Sequence, residues 1–162
     1  MFDPTTLVGF HTWLSLVALA AGILVVADLL RGRTAPGISA FFLATALATS
    51  VTGFAIPAAT ITPAHIVGAM ALAVLAVTLL ARYRFVLAGR WRAVYAAGAV
   101  ASLYFLVFVT IAQLFTKVAA LQALTPGAPQ AGFAVAEGIA LAAFVYLGFV
   151  AVRTRAPAPA AA

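Results

Sequence analysis

The segment RYRFVLAGRWR at residues 82–92 decides the fold, because it places four arginines between two long apolar stretches. Two more arginines at 31–33 follow the first apolar stretch, and another two at 153–155 follow the last. Basic loops that alternate with uncharged loops are typical of membrane proteins, whose positive loops stay in the cytoplasm. The pattern predicts a multi-pass protein with its N-terminus outside and its C-terminus in the cytoplasm. Lys117 alone departs from the alternation.

The composition indicates the same class. Of the 162 residues, 66% are hydrophobic and 7% are charged, which is too little polar surface for a soluble globule of this size. The formal net charge of +6 comes from arginines in short loops at helix ends, so it favours retention at the cytoplasmic surface and no nucleic-acid partner. The chain has no cysteine, which excludes disulfides and thiolate metal sites.

A membrane-spanning helix needs about 20 mostly apolar residues. The chain supplies five such stretches, which predicts an all-α bundle of five transmembrane helices in the bacterial inner membrane, in contact with the lipid bilayer. A short outer interfacial helix over 116–124 is expected between the fourth and fifth spans. Residues 1–155 form one transmembrane domain in this interpretation, and 156–162 form a disordered Ala/Pro tail. The predicted spans are Leu7 to Leu30, Ile38 to Pro57, Ala64 to Ala81, Trp91 to Phe115 and Gly132 to Val152.

Small residues and hydroxyls recur at helical spacing on the first two predicted spans. Membrane helices approach each other closely and form hydrogen bonds through such stripes. We therefore expect these residues to pack against other helices. They are Ser15 and Gly22 on the first span, and Thr45, Thr49, Thr52 and Gly53 on the second.

Five polar residues fall near the outer end of the predicted bundle: His11, His65, Gln113, Lys117 and Glu137. Ionisable groups within a membrane usually face the bundle interior and find partners there. The five could therefore form one polar cluster. Gln113 and Lys117 are four residues apart and share a helix face.

The two acidic residues of the predicted spans invite different interpretations. Glu137 lies inside an apolar stretch, so we expect it to be neutral or to pair with Lys117 or an imidazolium group. Asp28 lies three residues before Arg31 at the predicted cytoplasmic end, which indicates a local ion pair there.

Several short stretches together carry a resemblance: HTWLSL at 11–16, TGFAIP at 52–57, PAHIVG at 63–68 and LYFLVFV at 103–109. In this combination the chain resembles a group of small, uncharacterised proteobacterial inner-membrane proteins, over nearly its whole length. The resemblance implies no activity. The pattern of that group has asparagine where this chain has Leu106 and glutamine where it has Glu137, which weakens a role for Glu137 in proton transfer.

Three classes of function are open. The first is a non-catalytic component that packs with other membrane subunits in a larger assembly. The second is an electron-transfer protein in which His11 and His65 ligate haem b or hydrogen-bond a quinone; a metal variant would add Glu137 as a third ligand. The third is a small-solute or proton transporter that uses Glu137 with His65 and Lys117.

The sequence does not favour an enzyme. It contains no nucleophile with a paired base, no glycine-rich phosphate loop and no carboxylate pair at catalytic spacing. No catalytic residue and no dedicated metal site is therefore predicted.

Overall fold

A computed structural model describes residues 3–58, 60–123 and 129–154, and its secondary structure within these ranges is helices and turns. Five helices are long and apolar enough to cross a membrane, which confirms the predicted all-α class and the five spans. A short helix separates the fourth and fifth spans, as predicted. The predicted tail at 156–162 lies outside the described residues. The helices are α1 (Leu7–Leu30), α2 (Pro36–Ala55), α3 (Pro63–Leu79), α4 (Trp91–Lys117), α5 (Ala119–Ala123) and α6 (Pro129–Arg153).

Local sequence explains where the helices begin and end. The Thr6 hydroxyl accepts a hydrogen bond from the Gly9 amide at 3.1 Å and caps the start of α1. Pro36 and Pro63 open α2 and α3, where the missing N–H of proline has no cost. α1 ends in a Schellman turn, because Gly32 adopts φ +74° and the Arg33 amide bonds back to the Asp28 carbonyl at 2.9 Å.

The first four spans form a ring, and the fifth packs on its outside. α1 packs against α2 and α4, and α3 packs against the same two helices. α1 and α3 therefore lie diagonally across the ring. α6 packs along α4 and makes a smaller contact with α1. Because the loops at 31–35 and 85–90 lie at the same end of this up-and-down arrangement, their arginines gather there. We call this end the basic end and the other the opposite end.

The closely packed core lies in the half of the bundle next to the basic end, here called the basic half. Its buried side chains fall within 21–29 of α1, 42–46 of α2, 75–81 of α3 and its extension, and 95–103 of α4, with Ala151 of α6. Phe42 and Tyr95 are fully buried there. Gly22 allows Phe42 and Leu103 to pack closely against α1, since a methyl group at its Cα would lie 2.7 Å from both side chains.

The opposite half is more open. His11, Thr52, Gly53 and Gly68 face neighbouring helices in this half and all remain partly exposed. A methyl group at Gly53 would meet a single neighbour, the His11 ring, at 3.3 Å.

Candidate functional sites

The arginines at the basic end have distinct roles. Asp28 forms the predicted local ion pair at the end of α1, and its partner is Arg33 and not the nearer Arg31. The reason is the Schellman turn: Gly32 reverses the chain and brings Arg33 back over Asp28, while the Arg31 side chain stays exposed. This ion pair and turn fix the end of α1.

Arg92 connects two helix ends. Its Nη1 donates to the Thr154 carbonyl oxygen at 2.7 Å, and its Nη2 donates to the Gly32 carbonyl oxygen at 2.8 Å. Both acceptors follow the C-termini of helices, α6 and α1, where the helix dipole favours a positive charge. Arg92 therefore ties α1, α4 and α6 together at the basic end.

Arg82 is the arginine that points inward without an acidic partner. Its Nη2 lies 3.4 Å from the Pro36 carbonyl oxygen, and its guanidinium carbon lies 5.2 Å from the centre of the Tyr95 ring. The Tyr95 hydroxyl lies close to the Ser39 hydroxyl and the guanidinium group. Nevertheless, Arg82 Nη1 and the Tyr95 hydroxyl are both buried without a hydrogen-bond partner in the described part of the chain.

The backbone around Arg82 is unusual. α3 continues as one π-helical turn, Leu80–Arg84, a geometry that is rare and frequent at functional sites. Val86 and Leu87 follow with φ of 49° and 57°, in a left-handed conformation that side chains with a Cβ rarely adopt. The Phe85 and Trp91 rings stack at 3.8 Å with 2° between their planes and hold this turn.

His11 lies between α1 and α2 in the opposite half. Its Nδ1 is 2.9 Å from the Thr52 hydroxyl. That hydroxyl has one proton, which it donates to a carbonyl of its own helix, Ala48 at 2.8 Å or Thr49 at 3.1 Å. In this arrangement the Thr52 hydroxyl accepts a hydrogen bond from Nδ1 of the neutral His11 imidazole. Nε2 of His11 is left as a hydrogen-bond acceptor.

His65 has the other tautomer. The Thr62 backbone amide, which can only donate, lies 3.1 Å from Nδ1 of His65, and the Thr62 hydroxyl lies 2.8 Å from the same nitrogen. Nδ1 is thus an acceptor, and neutral His65 carries its proton on Nε2. The ring is 5.6 Å from that of Phe54, so His11 and His65 flank consecutive residues of α2.

Glu137 lies on the side of α6 that packs against α4. The side chain is 8% exposed, and neither carboxyl oxygen has a hydrogen-bond partner in the described ranges. Of the two expectations for Glu137, a neutral carboxyl or a pairing with Lys117 or an imidazolium group, the pairing is not observed within the described ranges. The group beside the carboxyl is the Tyr104 hydroxyl. Aromatic rings of α4 and α6 surround the pair, with Tyr104 and Phe144 centred 5.6 Å apart.

The five residues predicted as one polar cluster occupy separate places. His11 contacts α2, His65 caps its own helix, and Glu137 is buried between α4 and α6. Gln113 and Lys117 are exposed near the end of α4. Within the described residues, no hydrogen bond or ion pair joins any two of the five.

The residues of the packing stripes lie inside the ring. Gly22 lies against α2 and α4, and Thr45 and Thr49 are buried on α2. The Ser15 hydroxyl donates to the His11 carbonyl at 2.7 Å, one turn back on its own helix. Gly22, Thr52 and Gly53 therefore lie against side chains of neighbouring helices, whereas the Ser15 hydrogen bond stays within α1.

The described residues contain no group of three or more His, Asp or Glu side chains that could hold a metal ion. Nδ1 of His65 accepts from the Thr62 amide at 3.1 Å, so ligation of haem iron through Nε2 of His65 would require the loss of this capping hydrogen bond.

Comparison of the chain with protein-family models, with curated proteins and with solved structures finds no match. The site residues that sequence reasoning missed are Arg82, Tyr95 and Tyr104. Arg82 lies in a predicted basic loop, whose arginines are explained by topology, so the sequence gives no reason to assign it a second role. Tyr95 lies just after this loop, near the start of α4. Tyr104 had a signal, as the polar side chain within the run LYFLVFV at 103–109.

Proposed function

We propose that this multi-pass protein lies in the bacterial inner membrane with its basic end in the cytoplasm, and that it is a non-catalytic component of a larger membrane assembly. The arginine-rich loops support the orientation. The resemblance to small proteobacterial inner-membrane proteins is consistent with the location. The observation that carries the assembly role is the outward face of α6.

Of the five spans, α6 is the least buried by the rest of the chain. In its most apolar stretch 11% of the residues are buried, against 22–33% in the other four spans. The part of its outward face nearer the opposite end carries a stripe of small exposed residues beside the exposed side chains of Val135 and Ile139, and a methyl group added at Gly138 would meet no atom within 4 Å. The small residues are Ala131, Ala134, Gly138 and Ala142. In lipid, where burial of apolar surface drives little association, close approach at small residues is what holds helices together. The partner is therefore a transmembrane helix of another protein.

Photo-crosslinking in native membranes tests this proposal. A photoreactive residue at Ala142 should give a discrete protein adduct, whereas one at Ile23, which is 55% exposed on α1, should react with lipid. Gly138→Leu should remove the adduct, since it fills the space that the partner helix occupies. Lipid adducts alone at both positions would contradict the proposal.

The tautomers of the histidines favour a second candidate, a ligand of the quinone and quinol class between α1 and α3. In the quinone form, a carbonyl oxygen would accept from Nε2 of His65; in the quinol form, a hydroxyl would also donate to Nε2 of His11. The room beside Gly53 and the unpartnered hydroxyl of Thr49, one turn away on the same face, support this position.

Quinone binding and haem binding can be separated in one preparation. The purified protein should show no b-type band in a reduced-minus-oxidised spectrum, yet bind a short-chain quinone in a titration. His65→Ala should weaken that binding at least tenfold, because the donor is lost. A b-type band that either histidine substitution abolishes would replace this candidate with the haem interpretation.

A further inference from the structure

The uncompensated charge of Arg82 points to a ligand at the basic end. A guanidinium group has five N–H donors. Within the described ranges, the structure gives Arg82 a single hydrogen bond, the 3.4 Å contact to the Pro36 carbonyl oxygen. The side chain is partly buried, and its Nη1 is closed off from solvent without a partner. A half-buried positive charge with so few partners is costly unless a counterion joins it.

No acidic residue of the chain is free to be that counterion. The chain has three acids. Asp28 pairs with Arg33, and Glu137 is buried against Tyr104 on the α6 side of α4. Asp3 precedes α1 at the opposite end and bonds to Thr5. The end of α3 contributes a partial negative charge through its helix dipole, about half an elementary charge. The remaining charge needs an anion from outside.

Arg82 is also held in a fixed position, which a merely solvated arginine is not. Its guanidinium lies between the Tyr95 ring at 5.2 Å and the Tyr83 ring at 5.8 Å. The π turn and the left-handed residues Val86 and Leu87 set its backbone. Strained backbone persists where surrounding structure holds it and is found at binding sites. By contrast, the other arginines of this loop are more exposed or, like Arg92, bonded to two carbonyls at 2.7 and 2.8 Å.

We propose that Arg82, positioned by Tyr95 and the Pro36 carbonyl, binds a phosphate group at the basic end, and that the phosphate belongs to an anionic phospholipid. Arginine binds phosphate through its N–H donors, and Arg82 is a partly exposed arginine whose hydrogen bond within the described ranges is the long contact to Pro36. A basic site between helix ends on the cytoplasmic side is where lipid headgroups reach the protein. The Tyr95 hydroxyl, buried beside the guanidinium and the Ser39 hydroxyl, helps to hold Arg82 in this position.

Lipid titration of the purified full-length protein tests the proposal. The probe is the fluorescence of Trp91, which stacks on Phe85 beside the site, measured in a Trp13→Phe background in neutral detergent. Phosphatidylglycerol should bind saturably, phosphatidylcholine at least tenfold more weakly. Arg82→Gln should weaken phosphatidylglycerol binding at least tenfold. Arg84→Gln removes the same charge from an exposed side chain and should change it less than threefold.

A second variant protects the test from misfolding of Arg82→Gln. Tyr95→Phe keeps the ring that packs on Arg82 and removes only the hydroxyl, so it should fold normally and weaken binding by about threefold to tenfold. Equal losses for Arg84→Gln and Arg82→Gln would show diffuse surface attraction and overturn the proposal. Inorganic phosphate that displaces the lipid at equal concentration would assign the site to free phosphate and overturn the lipid assignment.

Discussion

The two halves of this bundle are built differently. In the basic half, side chains such as Phe42 and Tyr95 are fully buried, and Arg92 ties three helices together. In the opposite half, helix faces stay partly exposed, and polar contacts such as His11 to Thr52 hold neighbours one pair at a time. The basic half, which holds the tightly packed core, therefore supplies most of the stability of the bundle.

Replacement of one phenylalanine in each half should show the largest difference in stability between the two halves. Phe42→Ala should lower the free energy of unfolding by about 3 kcal/mol, because the fully packed half cannot close the cavity. Phe54→Ala, at a side chain that is 43% exposed, should cost less than about 1 kcal/mol. Denaturation in mixed micelles, followed by circular dichroism, measures both. Equal losses would show that the opposite half is as tightly packed as the basic half.

Loss of the arginine that connects α1, α4 and α6 should have the next largest effect. Arg92→Ala leaves the carbonyls of Gly32 and Thr154 without their charged donor and should cost about 2 kcal/mol. Arg92→Lys should recover part of this, since one ammonium group does not reproduce the fork of a guanidinium. The matched control is Arg90→Ala at an exposed side chain, expected within about 0.5 kcal/mol of the parent in the same assay.

A glycine series sharpens the comparison without removing any contact. At Gly98, a methyl group would lie 2.1 Å from the buried Thr78 hydroxyl, so Gly98→Ala should cost about 1 to 3 kcal/mol. Gly53→Ala meets only the His11 ring at 3.3 Å and should stay within about 0.5 kcal/mol. Gly138→Ala meets nothing and should gain up to about 1 kcal/mol from helix propensity. Thermal unfolding of the three variants should therefore rank them in this order.

Much of the fold could be predicted from the sequence, because hydropathy and loop charge act one helix at a time. The predicted span Leu7 to Leu30 and the start at Trp91 coincide with α1 and α4. The end of the third span differs from the prediction, which ends this span at Ala81. The helix continues through a π turn to Arg84, and apolar periodicity does not indicate such a turn.

The sites were harder to predict, because contacts between helices depend on rotation about the helix axis. The position of Glu137 along its predicted span indicates its depth in the membrane. It does not indicate which helix the side chain faces, and in the structure the neighbouring group is the Tyr104 hydroxyl of α4. The same holds for His65, whose closest polar partner is Thr62 of its own capping turn. The predicted polar cluster rests on the similar depth of its five residues, and the fold places these residues on different helix faces.

The smallest expected effect is a pH response confined to the first turn at the opposite end. The Asp3 carboxylate accepts hydrogen bonds from the Thr5 hydroxyl at 2.7 Å and the Thr5 amide at 3.0 Å, and the hydroxyl is the main cause that lowers its pKa below the usual 3.8. A lowered pKa in the folded state means that these bonds stabilise the turn above that range and are lost as the pH falls through the lowered value.

Amide chemical shifts of Thr5 and Thr6 measure this loss directly. Both should move together as the pH falls below about 4, and Asp3→Asn should remove the transition. Because the Asp3 side chain is fully exposed and the core lies in the other half of the bundle, the amides of Val25 and Ala99 should not respond over the same range. A melting temperature that drops across this range in the parent but not in Asp3→Asn would mean that the opposite end contributes to global stability, which the division into two halves forbids.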